Sequence, residues 1–235
     1  MPWRVRDAAL TFVLGLGVAA LFLVGAQEFY ALQGGLQGAP AQPPAGLAMT
    51  TTILFYLGIL TGLWLLVVRR RGVHWRDLGL AAPRPAWGLP VLLLIILFVI
   101  GSTLILVAAT LVVELLGSSA SIVIEDSIPT GGPIPIAAAI LTSLLLAPFA
   151  EELFFRGVLY QALRQRTGVV LATSGSALLF TLVHARSTMA PEALLLGVVL
   201  AMMFERTDSL YPSMCVHMLY NGAILLLAHG AGRLA

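Results

Sequence analysis

Residues 134–163 read IPIAAAILTSLLLAPFAEELFFRGVLYQAL, an apolar run that contains two adjacent glutamates and an arginine. The run exceeds the roughly 20 helical residues that cross the hydrocarbon core of a bilayer. Glu151, Glu152 and Arg156 are therefore expected at membrane depth, where an ionised side chain costs about 2.5 to 3.5 kcal/mol on insertion scales. Such residues usually face a protein interior or a water-filled cavity, so they predict a functional site.

The whole chain has the composition of an integral membrane protein, whose principal partner is the lipid bilayer. Hydrophobic residues make up 59% of the 235 residues and charged residues only 10%, and the mean hydropathy is +0.98. The net charge of +2 is too small for a nucleic-acid-binding surface. A single cysteine excludes an intrachain disulfide and a cysteine-based metal cluster. Abundant Ala, Leu, Gly and Arg without Lys hints at a GC-rich bacterial genome, and so at a bacterial plasma membrane.

The apolar runs predict an all-α fold, a polytopic transmembrane helical bundle of about seven spans, with a count of eight left open. The segment 31–47 is rich in Gly, Pro and Gln and predicts a loop outside the membrane. The predicted spans are 8–26, 50–68, 88–113, 134–163, 168–185, 190–204 and 210–228.

The arginines predict the orientation of the bundle. By the positive-inside rule, the loop that begins with Arg69-Arg70-Arg71 is cytoplasmic. The next loop carries acidic residues and no base. Continued alternation of the spans puts the N-terminus and ten of the thirteen arginines on the cytoplasmic side. The acidic residues are Glu114, Glu125 and Asp126, and the arginines left outside are Arg186 and Arg233.

Three polar side chains are predicted at similar depth on separate helices. Glu151, His184 and His217 lie about 20, 27 and 17 Å from the nearest cytoplasmic arginine of their helices, at 1.5 Å per residue. A glutamate and two histidines that converge in this way suit two kinds of chemistry. They can hold a metal such as zinc, or they can activate a water directly. Both alternatives end in hydrolysis, and the spacing does not choose between them.

Spacing of four residues adds detail to two of these helices. Glu152 and Arg156 share one helix face and are expected to pair, whereas Glu151 lies about 100° around the helix and faces elsewhere. Glu151 is then able to take a proton from water. His217 and Asn221 repeat the spacing, so their donors can stabilise an oxyanion or form an interhelical hydrogen-bonding pair.

The three motifs in order resemble the CPBP family of intramembrane proteases. They are EExxxR at 151–156, FxxxH at 180–184 and HxxxN at 217–221. The flanking segments APFA, FRG and ERTDSL are similar too, and the resemblance covers about residues 135–228. The family includes type II CAAX prenyl endopeptidases and bacterial relatives linked to abortive infection. Within one membrane domain, the resemblance separates N-terminal helices, residues 1–130, from a catalytic region, residues 131–230.

The resemblance implies an intramembrane endopeptidase that cleaves a peptide or lipidated, CAAX-type protein substrate, with zinc or a metal-free activated water. A non-proteolytic membrane immunity or scaffold protein of the same family is the alternative. The residues with an implied catalytic role are Glu151 for water activation, His184 beside it, and His217 and Asn221 for the oxyanion. Glu152 and Arg156 would support the site, and Glu151, His184 and His217 would hold a metal. The oligomeric state is not predicted.

Overall fold

The computed structural model describes residues 2–37, 46–85, 87–115, 133–184 and 190–231. Helices account for most of them, and none of these residues forms a strand, so the prediction of an all-α membrane bundle is confirmed. The α-helices are α1 (Val5–Gln37), α2 (Leu47–Gly62), α3 (Gly88–Leu115), α4 (Pro133–Leu141), α5 (Ala147–Glu152), α6 (Gln161–Val183), α7 (Ala190–Thr207) and α8 (Leu210–Ala231). They are joined in places by π-helical segments Leu63–Arg69, Thr142–Leu146 and Leu153–Tyr160, and a 3-10 turn covers Trp75–Leu78.

Five helical segments of the described chain are long and apolar enough to cross a membrane, against seven predicted spans. One of them, Ile136–Val183, includes most of both predicted spans 134–163 and 168–185, which are separated by the non-helical backbone of Gly168. Helix α7 is not among the five, and its 18 residues include three charged side chains. The five segments are Val5–Ala31, Leu47–Arg69, Gly88–Ala109, Ile136–Val183 and Leu210–Leu227.

The segment Ile136–Val183 is nevertheless a helical hairpin. Gly168 has φ 82° and ψ 177°, a left-handed backbone conformation that a side chain with a Cβ disfavours. On either side of it the two limbs are in contact. The Ser176 hydroxyl donates to the Phe155 carbonyl at 3.2 Å, and the rings of Phe155 and Phe180 are 5.2 Å apart. The described chain therefore has seven helical limbs, at the positions of the seven predicted spans.

Helices α1 and α2 approach closely at a pair of glycines. A Cβ on Gly58 would lie 2.8 Å from the Cα of Gly15, and a Cβ on Gly15 would lie 2.7 Å from Ile59. Small residues at such a crossing let two backbones pack without side chains between them. This contact fixes α2 against α1, and α2 in turn carries a residue of the site described below.

Arginines that are predicted to be cytoplasmic make ion pairs at one end of the bundle. Ion pairs there join Arg71 to Asp7 at 2.8 Å, and Arg164 to Glu205 at 3.0 Å. The indole of Trp3 donates to the Val158 carbonyl at 3.1 Å, so the N-terminus lies at the same end. This arrangement agrees with the alternation of spans, while the side of the membrane that it faces stays a prediction.

Several predictions fall outside the described residues. The boundary between residues 130 and 131, most of the acidic loop and part of the loop 31–47 lie there. The residues concerned include Glu125, Asp126, Arg186 and Arg233.

Candidate active site

The glutamate pair lies on a short α-helix between two π-helical segments. Helix α5 has six residues, Ala147–Glu152, and Pro148 lies in its first turn. Proline has no backbone N–H, so it cannot donate the hydrogen bond that would continue a regular α-helix from the preceding turns. The π-helical turns Thr142–Leu146 and Leu153–Tyr160 flank α5 on both sides. Such wide turns are frequent at functional sites, because they change the direction of the side chains that follow.

Glu152 and Arg156 form the predicted ion pair. Nη1 of Arg156 donates to Oε1 of Glu152 at 2.7 Å, and both side chains are 0% exposed. Nη2 of the arginine donates to the Gly197 carbonyl on α7 at 3.1 Å, and its guanidinium lies 4.8 Å from the ring centroid of Phe180. The pair therefore joins the first limb of the hairpin to α7 and to the second limb.

His217 is oriented by the same carboxylate. Its Nδ1 lies 3.0 Å from Oε1 of Glu152, and the side chain is 3% exposed. The neighbouring carboxylate favours the form in which Nδ1 carries the hydrogen, and this leaves Nε2 to face Glu151. A carboxylate that fixes the orientation of a histidine is a recurring support in hydrolytic sites. Glu152 is thus both the partner of Arg156 and the residue that orients His217, and the second role was not predicted.

His184 is fixed by its own helix. It follows the last residue of α6, and its Nδ1 lies 2.8 Å from the Phe180 carbonyl. A carbonyl only accepts, so Nδ1 donates, and in the neutral ring Nε2 keeps its lone pair. The ring packs against Phe180 with centroids 4.4 Å apart, and the side chain is 34% exposed. His184 is therefore the part of the site that is open to the surroundings.

Both histidines present Nε2 to one oxygen of Glu151. Oε2 of Glu151 lies 3.8 Å from Nε2 of His184 and 3.7 Å from Nε2 of His217. The side chain of Glu151 is 7% exposed, and its Oε2 has no hydrogen-bond partner among the described residues. The three residues predicted to converge are thus brought together by α5, α6 and α8.

The donor types suit zinc, which binds imidazole nitrogen and carboxylate oxygen. Two ligands of a tetrahedral zinc are about 3.3 to 3.4 Å apart, since each bond is about 2.0 to 2.1 Å long. The separations of 3.7 and 3.8 Å are longer. In the described part of the chain, no group of three His, Cys, Asp or Glu side chains is arranged to hold a metal ion. These separations are therefore longer than those of a formed zinc site, and a metal at Glu151, His184 and His217 stays a prediction.

Asn221 lies one helical turn beyond His217. Its Nδ2 donates to the Ser143 carbonyl in the π-helical segment Thr142–Leu146 at 2.9 Å. An amide group has two N–H donors, so this bond engages one of them. The asparagine shares a face of α8 with His217 and is held by the π-helical segment that precedes α5.

Tyr56 is a residue of the site that the sequence analysis missed. Its hydroxyl, on α2, lies 2.5 Å from Oε1 of Glu151. A signal for it was present, since Tyr56 lies thirteen residues before Arg69 and Glu151 lies thirteen residues before Arg164. The depth argument used for the histidines would have placed both residues at one level. A tyrosine in an apolar span is usually a packing residue, so depth alone does not single out Tyr56 as it does a glutamate or a histidine.

Comparison with known families identifies the region that contains these helices. Residues 133–223 match the family model described as Type II CAAX prenyl endopeptidase Rce1-like. No curated protein and no solved structure gives a significant match to the chain. The matched region contains all three motifs and six of the site residues, but not Tyr56. The resemblance in the sequence is confirmed, since residues 133–223 match this model of a CAAX protease family.

Proposed function

We propose that the protein is an intramembrane endopeptidase that hydrolyses a peptide bond of a membrane-associated substrate with a water activated by Glu151. The observation that carries the proposal is the position of Oε2 of Glu151. This buried oxygen has no hydrogen-bond partner in the described chain and faces Nε2 of both His184 and His217. An acceptor so placed is suited to take a proton from a water bound between these groups.

The groups around Oε2 would position the water. Nδ1–H of His184 is engaged by the Phe180 carbonyl, so its Nε2 accepts a hydrogen bond. A water that donates one hydrogen to Oε2 of Glu151 and the other to Nε2 of His184 directs an oxygen lone pair away from both. As Glu151 takes the first hydrogen, the water oxygen forms a bond with the carbonyl carbon of the substrate.

The carbonyl oxygen then becomes an oxyanion that needs donors. Asn221 has a second N–H beyond the one given to Ser143. Nε2 of His217 donates when both ring nitrogens carry a hydrogen. Glu151 returns the proton to the leaving nitrogen as the carbon–nitrogen bond breaks, so the protons balance. Each of these steps uses only groups of the chain and one water.

Entry of the substrate is proposed from the side of His184. This side chain is 34% exposed, whereas those of Glu151 and His217 are 7% and 3% exposed. An opening on this side, at membrane depth, suits a peptide bond close to a lipid or lipid-modified segment, and a prenylated CAAX-type substrate is the finer form of the proposal.

The test is cleavage in liposomes by purified wild-type protein and by Glu151→Gln. The substrates are quenched fluorescent peptides that end in a CAAX sequence, each with and without a farnesyl group on the cysteine, together with unmodified transmembrane peptides. New termini are assigned by mass spectrometry. We expect cleavage by the wild-type protein and a loss of at least about 100-fold in Glu151→Gln, since general acid–base groups contribute roughly 10² to 10⁴ in rate.

Two results would contradict the proposal. One is equal cleavage by the wild-type protein and Glu151→Gln. The other is the absence of wild-type-specific termini, both in the peptides and in membranes of cells that produce the protein. The second result would favour the non-proteolytic immunity or scaffold alternative. Cleavage of the unmodified peptides alone would support the protease and remove the prenylated substrate.

A further inference from the structure

Tyr56 contributes a short hydrogen bond to the carboxylate proposed to activate water. Its hydroxyl donates to Oε1 of Glu151 at 2.5 Å. Charge-assisted O–H···O⁻ bonds have lengths of about 2.5 to 2.7 Å and are roughly twice as strong as neutral ones. Helix α2 is held in place by the glycine crossing with α1, and the ring of the adjacent Phe55 packs edge-on against Phe12 at 5.8 Å. The phenol is thus presented by a fixed helix.

The bond makes the two oxygens of Glu151 unequal. Oε1 accepts from Tyr56, whereas Oε2 has no hydrogen-bond partner in the described chain and lies near both Nε2 atoms. A carboxylate without such a donor can rotate about its last bond, because this torsion is broad and nearly two-fold. The hydroxyl of Tyr56 opposes that rotation.

We propose that Tyr56 is a positioning residue for hydrolysis, which holds Oε1 of Glu151 so that Oε2 is the oxygen that takes the proton from water. The inference rests on the proposed function and deepens it. Tyr56 lies outside the region that matches the protease family, so the N-terminal helices would take part in the reaction as well as in the fold. It acts through Glu151 and is not required to touch the substrate.

The experiment compares Tyr56→Phe with Tyr160→Phe in the same liposome assay, with the panel peptide that the wild-type protein cleaves fastest. Tyr160 is a matched control, since its hydroxyl donates to Glu205 at 2.7 Å and its ring is 1% exposed. Tyr160→Phe also removes a tyrosine–glutamate hydrogen bond, but one that does not involve Glu151. We expect kcat to fall about 10- to 100-fold in Tyr56→Phe, the range for a hydrogen bond to a charged group, with KM within about twofold. Tyr160→Phe should keep the wild-type kcat.

A double-mutant cycle separates positioning from a structural effect. In the Glu151→Gln background, adding Tyr56→Phe should change the residual rate by less than about threefold, because the two residues act as a unit. If that residual rate is below detection, positioning is tested with Tyr56→Phe alone. Its kcat should fall while its KM and its melting temperature stay near the wild-type values. The inference is overturned if Tyr56→Phe keeps the wild-type kcat. It is also overturned if Tyr56→Phe lowers the rate equally in the wild-type and Glu151→Gln backgrounds, or if it lowers only the melting temperature. Equal activity of Glu151→Gln and the wild-type protein would instead overturn the proposed function.

Discussion

Replacing Arg156 with methionine should destabilise the whole bundle, because the arginine neutralises a fully buried carboxylate. Glu152 and Arg156 are both 0% exposed and 2.7 Å apart. Removal of one partner from a buried ion pair costs about 3 to 5 kcal/mol. The Gly197 carbonyl also loses its bond from Arg156, at about 1 to 3 kcal/mol for a buried unsatisfied group. The lower limits together give about 4 kcal/mol.

The assay is thermal unfolding of the purified protein in detergent, followed by circular dichroism. For a chain of this size, about 1 kcal/mol corresponds to about 2 to 4 °C in Tm, so Arg156→Met should lower Tm by at least about 8 °C. The matched control is Arg164→Met, which removes another Arg–Glu pair whose side chains are 41% and 25% exposed. Its loss should be much smaller, since water already screens that pair.

A second variant tests whether charge is the cause. Glu152→Gln combined with Arg156→Met leaves no uncompensated carboxylate at this position, so it should recover more than half of the lost Tm. The reasoning is refuted if Arg156→Met melts within about 2 °C of the wild-type protein, a shift of roughly 1 kcal/mol or less. It is also refuted if Arg156→Met and Arg164→Met lose equal amounts.

Three other outcomes are expected. Gly168→Val should lower Tm by about 2 to 12 °C, because a backbone conformation nearly restricted to glycine costs another residue about 1 to 3 kcal/mol, at about 2 to 4 °C for each kcal/mol. The control Gly17→Val, where a Cβ meets nothing within 4 Å, should leave Tm unchanged, and equal losses would contradict the hairpin turn. Asn221→Ala should lower kcat about 10²- to 10³-fold, as loss of an oxyanion donor does, and an unchanged kcat in the peptide assay would remove it from that role. Peptide cleavage should survive exhaustive chelation, with elemental analysis of the purified protein as the check that zinc has been removed. Stoichiometric zinc that is lost in His184→Ala would instead establish a metal site.

The helices and the Glu152–Arg156 ion pair could be predicted from the sequence because both depend on local spacing. Apolar runs must form helices in lipid, since no water is present to satisfy backbone N–H and C=O groups. Glu152 and Arg156, four residues apart, share a helix face wherever the helix lies. The number of spans is harder to predict from the sequence. Hydropathy separates residues 134–163 from 168–185, whereas only the contacts of Phe155 with the residues after Gly168 establish the hairpin.

Contacts between helices could be predicted only in part from the sequence. Distance from the basic ends placed Glu151, His184 and His217 at one level, because the rise of a helix is constant. By the same measure Tyr56 lies at the level of Glu151. Distance along a helix also does not give rotation, so it did not show that Asn221 bonds to Ser143.

By itself, the sequence determined the solvent, the helical class and the residues that carry charge into the membrane, because composition and spacing act within single helices. Only the tertiary structure decided which atoms of those residues meet. It engages Oε1 of Glu151 with Tyr56 and turns Oε2 towards two histidines. It also places Glu152 between Arg156 and His217. The physical reason is that such contacts depend on how each helix is rotated and shifted against its neighbours, and packing between helices fixes both.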